Sequence, residues 1–87
     1  MKETLVLTVQ WDESHWLGEC DAIQGCLVTG YTLDELMRNL SEVLTLLHQD
    51  SMERGVEFVR GKPELTPMDI SWRLEFAHAP AEQMVLV

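Results

Sequence analysis

Basic residues are scarce in this chain. Six lysines and arginines stand against fifteen aspartates and glutamates, a net charge of −9. Such a surface repels phosphate backbones, so direct nucleic-acid binding is not expected, whereas a basic protein partner is compatible with it. Long apolar runs are also absent, which excludes a membrane-spanning segment of about 18 residues or more. The opening MKETLVLTVQ alternates apolar and polar residues from Thr4 onward. A signal peptide would carry a continuous apolar core and a small-residue cleavage site instead, so a cytoplasmic chain is predicted. Cysteines are few. Cys20 and Cys26 are too far apart for a C-x-x-C pair, and they read as small buried apolar side chains kept reduced. His15, His48 and His78 share no ligand spacing with them, so neither a zinc site nor another cofactor is expected. There are no repeats and no low-complexity segments.

What is present fits one small domain. A chain of 87 residues buries a single pair of layers, and 46% apolar residues suffice for that. Leu5, Leu7, Val9 and Trp11 alternate with Thr4, Thr8 and Gln10, the pattern of a half-buried strand. Asp12, Glu13 and Ser14 form a turn, and a second strand, His15 to Cys20, follows as the other arm of a hairpin. Gly18 marks a place where another element packs closely. Cys26 to Thr29 is a short third strand, bracketed by Gly25 and Gly30, which supply positions where φ can be positive.

A long helix is then well specified. Thr32 is its N-cap, and Glu35 stands where it can bond back to the Thr32 amide. Tyr31 and Leu36 hold the positions of a hydrophobic staple. Leu33, Leu36, Met37, Leu40, Val43, Leu44 and Leu47 form one apolar stripe, and Gly55 is a natural stop. After a connector with Pro63 and Pro67, a fourth strand alternates through Ile70, Trp72, Leu74 and Phe76, with Trp72 expected in the core. The expected class is α+β, ordered β-β-β-α-β: an antiparallel sheet with one amphipathic helix on one face. Residues 1–80 are taken as the domain and 81–87 as an apolar tail. Met84, Val85, Leu86 and Val87 are candidate oligomer contacts that cover a sheet edge, so a homo-oligomer is expected.

Catalytic chemistry is hard to assemble from these residues. Asp12, Glu13, Glu19 and Asp21 are the candidate acids for a metal-dependent reaction, but they read more simply as a solvated, partner-facing acidic edge. Cys26 with His15 as base has no third group to orient it.

The stretch from Trp11 to about Leu47 resembles the HicB family of antitoxins. Trp16-Leu17-Gly18-Glu19-Cys20 looks like that family's second strand, and Ile23-Gln24-Gly25-Cys26 like its Leu-Pro-Gly-Cys turn. Gly30-Tyr31-Thr32-Leu33-Asp34-Glu35-Leu36 looks like the opening of its helix. Gly25, Cys26, Gly30, Thr32 and Glu35 carry the motif. The resemblance implies a partial ribonuclease H-like fold and neutralisation of a small basic ribonuclease toxin of the HicA type. A metal-dependent nuclease is the alternative that the fold name suggests. Asp21 and Gln24 stand where the family has prolines, and the residues after the fourth strand are too few for the family's DNA-binding module.

Overall fold

The computed structural model describes residues 2–77. Strand β1 spans Glu3–Asp12, β2 His15–Glu19 and β3 Leu27–Gly30. Helix α1 spans Leu33–Arg54, and a 3₁₀ turn at Pro67–Asp69 leads into β4, Ile70–Phe76. The order is β-β-β-α-β, and the class is α+β.

The four strands form one sheet in the order β3-β2-β1-β4. β1 pairs antiparallel with β2, from Thr8↔Glu19 to Asp12↔His15, and β2 pairs antiparallel with β3. β4 breaks the expected pattern. It lies parallel to β1, in register from Glu3↔Ile70 to Val9↔Phe76, so the sheet is mixed rather than antiparallel. The cause is the helix. α1 carries the chain from the far end of β3 back to its starting end, and a strand entered that way runs parallel to β3. Two antiparallel steps make β1 parallel to β3 as well, so β4 matches β1.

The helix follows its sequence signals from end to end. Glu35 N–H donates to Thr32 Oγ1 at 3.0 Å, which satisfies one of the open amides of the first turn. The Glu35 carboxylate reaches one residue further back than expected, accepting from Tyr31 N–H at 3.4 Å. The staple does not form: Leu36 is fully buried, whereas Tyr31 points into solvent. Gly55 closes the helix at φ 69°, and Val56 N–H donates to Ser51 O at 3.0 Å, the long bond of a Schellman cap.

Leu36, Leu40 and Leu44 form the buried centre of the helical stripe, and α1 rests mainly on β3 and β2. Two glycines let it approach. A side chain at Gly18 would touch Leu7 Cδ2 and Leu36 Cδ2. Gly30 departs from the expected role. Its φ is not positive; its hydrogen atoms leave room for the backbone of the first helical turn. Of the two bracketing glycines only Gly25 is left-handed, at φ 82°.

The other half of the core is roofed by the connector, which was expected only to connect. Phe58, Val59 and Leu65 are buried with Leu5, Leu7, Val9 and Ile70. The ring of His48 meets Phe58 edge-on at 5.1 Å, and Arg60 N–H donates to Ala22 O at 2.8 Å. The last helical turns therefore pack on this segment. Thr66 and Asp69 cap the 3₁₀ turn, with Thr66 N–H donating to Asp69 Oδ2 at 2.9 Å. That bond holds the Asp69 carboxyl below its ordinary range. No helix among the described residues is long and apolar enough to cross a membrane.

Candidate functional site

The sheet offers two edges, and they differ. At β3 the edge is short, and Asn39 Nδ2 of the helix donates to Thr29 O at 2.7 Å, so part of its backbone is already satisfied. β4 is longer, seven residues, and its outer side pairs with no strand among the described residues. An unpaired run of this kind is a template for another chain.

Beside the end of β4 stands an aromatic corner. Trp11 and Trp16 are cross-strand partners in the β1–β2 hairpin, with ring centroids 5.2 Å apart in an edge-to-face arrangement. Trp16 meets Phe76 of β4 in the same way at 5.9 Å. Strand alternation puts these three rings on the face that α1 covers elsewhere. The helix, however, lies over β3 and β2, and the connector roofs the opposite end of β1 and β4. No described element covers the corner: Trp11 is 48% exposed and Phe76 56%. Trp72 and Leu74 continue the patch along β4, half-buried, so Trp72 belongs to its margin rather than to the deep core. Rigid aromatic rings of this kind anchor protein interfaces.

The hairpin tip adds charge to the corner. Asp12 and Glu13 sit there, and Glu13 adopts φ 56°, a left-handed backbone rare for a non-glycine residue. Ser14 N–H folds back onto Asp12 O across it. Asp12 Oδ2 lies 3.9 Å from His15 Nε2. Glu19 and Asp21 are at the other end of β2, roughly 15 Å away at a strand rise of about 3.3 Å per residue. The four acids named from the sequence therefore form two separate pairs. Two-metal nuclease chemistry needs carboxylates that converge, which these do not. Among the described residues no group of three or more His, Cys, Asp or Glu side chains could hold a metal.

The remaining motif residues serve the fold. Cys26 and Cys20 are buried free thiols beside the Gly25 turn. Burial pushes the Cys26 thiol up to about 11, the opposite of what a nucleophile needs. His15 is opposite Asp12, at the end of β2 away from Cys26, so these two do not form the Cys–His pair considered from the sequence. A cleft of about 240 Å³ between the Ile23–Gly25 turn and the end of α1 contains Arg54, already paired with Asp50 at 3.1 Å. Met84, Val85, Leu86 and Val87 lie outside the described residues.

No family model matches the chain, and no solved structure matches it. A curated UPF0150 protein of Synechocystis is similar to it: 34% identical over 59 residues, which is 67% of this chain and 86% of the relative. That stretch is longer than the hairpin, turn and capped helix together, and it takes in nearly all of the relative. On that identity and coverage, the chain belongs to the UPF0150 family.

Proposed function

We propose that the chain is a HicB-like protein-interaction module of the cytoplasm that binds a basic protein partner at the aromatic corner and the free edge of β4. In its antitoxin form the partner is a HicA-type ribonuclease toxin. The observation that carries this reading is the exposed corner, with Trp11, Trp16 and Phe76 packed edge-to-face next to the outer edge of β4, which pairs with no strand among the described residues, on a chain of net charge −9. The Gly-Cys turn followed by the capped helix, which resembles HicB, supports it. So does the UPF0150 relative. Asp12 and Glu13 at the hairpin tip supply the local charge that steers a basic partner.

The test is co-expression with a basic HicA-type toxin encoded beside this chain's gene. A complex that survives purification, and cells that resume growth, are expected. Trp11→Ala and Phe76→Ala should each weaken binding about tenfold or more, as truncation of an interface anchor does. Both rings are half-exposed, so the variants remain folded. Binding should also fall as salt rises. Absence of a complex rejects the antitoxin form, and full affinity in both variants rejects the corner.

We also propose that the chain is a homo-oligomer, with Met84–Val87 as the contact. Light scattering of the chain alone should give a multiple of the monomer mass, reduced by removal of residues 81–87. A monomer mass for the intact chain overturns it.

A further inference from the structure

The β2–β3 ladder ends on the pair Glu19↔Leu27. One step further, Cys20 N–H donates to Cys26 O at 3.2 Å, which continues the antiparallel register and sets the two cysteines opposite each other. Directly opposed, hydrogen-bonded residues have Cα atoms about 5.5 Å apart. Disulfides span about 4.4–6.8 Å. Both side chains enter the same buried cluster, at 4% and 5% exposure, so they leave the ladder on one face. The intervening turn is already closed, with Ile23 N–H donating to Cys20 O at 3.3 Å and Cys26 N–H to Ile23 O at 3.2 Å. Bridging the sulfurs therefore asks little of the backbone. Neither thiol belongs to the aromatic corner.

We propose that Cys20 and Cys26 are a dithiol site that closes into an intrachain disulfide by exchange with a small-molecule disulfide such as glutathione disulfide. One cysteine thiolate attacks a sulfur of glutathione disulfide and expels one glutathione thiolate. The second cysteine thiolate then attacks the mixed disulfide and expels the other. Two protein thiols are oxidised by two electrons, one glutathione disulfide is reduced to two glutathiones, and the protons pass from the protein thiols to the glutathione thiolates. Burial shields both sulfurs in the native fold, so exchange proceeds while the chain folds or when the 21–25 turn opens. The closed site staples β2 to β3 under the turn whose Ala22 carbonyl holds Arg60. Redox state thereby sets the rigidity of the end of the sheet opposite the hairpin.

The full chain, refolded from urea in a glutathione buffer, provides the test because every thiol is accessible at the start. Intact mass after thiol alkylation should show a chain lacking two hydrogens and carrying no alkyl group. Its Tm should rise on the order of 10 °C, reversed by dithiothreitol. Cys26→Ser should give neither the bridge nor the Tm rise. Alkylation of both cysteines in the refolded chain overturns the proposal. Stable glutathione adducts, disulfide-linked dimers, or a bridge that lowers the Tm overturn it equally.

Discussion

Gly30→Ala is expected to remove about 4 kcal/mol or more of the protein's stability. A β-carbon there would stand 2.5 Å from Leu36 N, 2.8 Å from Leu36 Cα and 3.1 Å from the Glu35 carbonyl carbon. All three are backbone atoms of the first helical turn, so no rotamer change relieves the contact. The helix has to lift from β3, which opens the core around Leu36 and Leu40. Overpacking against side chains costs about 1–3 kcal/mol. Against rigid backbone the cost should reach about 4 kcal/mol or more, a large share of the stability of a chain this size, roughly 4–13 kcal/mol. Gly18→Ala is the internal comparison. Its β-carbon would meet side-chain atoms, Leu7 Cδ2 at 3.3 Å and Cγ at 3.4 Å and Leu36 Cδ2 at 3.4 Å, and about 1 kcal/mol is expected. Urea unfolding followed by circular dichroism measures both. Equal, small losses at the two sites would show that the helix does not approach β3 this closely.

Leu40→Ala should cost about 3 kcal/mol. Leu40 is 1% exposed at the middle of the helical stripe, enclosed by the sheet below and its neighbours Leu36 and Leu44 on either side. Removing three side-chain carbons leaves a hole that the sheet cannot fill, so the cavity adds to the lost transfer energy. Leu46 is on the same helix but 65% exposed. Leu46→Ala should change stability by no more than about 0.5 kcal/mol, since alanine is at least as good a helix former. Midpoints in urea separate the two variants. A shift at Leu46 equal to that at Leu40 would mean that the outer face of the helix is also covered, and would relocate the interaction surface.

Much of this fold can be read from local patterns, because local patterns determine most of it. Thr32 and Gly55 bound the helix since each satisfies backbone groups within a few residues. The hairpin follows from alternation on both sides of a two-residue turn. Long-range geometry is less legible. That β4 lies beside β1 depends on where the helix returns the chain, and alternation in Ile70–Phe76 is the same for parallel and antiparallel pairing. Phe58, Val59 and Leu65 were hidden because prolines and charges around them look like a surface connector, although the spacing of Phe58 and Leu65 among polar residues was a signal. Gly30 was read as a turn glycine, and only the packed helix reveals a contact distance. The aromatic corner was the most difficult to foresee. Phe76 is far from Trp11 and Trp16 in sequence, and alternation assigned all three to a buried face. The face does extend to them; the helix does not.

The parallel β1–β4 pair also bears on how the chain is made. β1 is made before the other described strands and occupies an interior position in the sheet, yet its neighbour on one side is the last of the described strands to be made. Until Ile70–Phe76 is available, Glu3–Val9 has one bare edge, and Leu5, Leu7 and Val9 lack their lateral neighbours on β4. A nascent chain stalled before Ile70 cannot complete its core, however well its helix has formed. Completion of the core thus waits for Ile70–Phe76, and synthesis interrupted before that strand yields a chain open to proteolysis and mispairing.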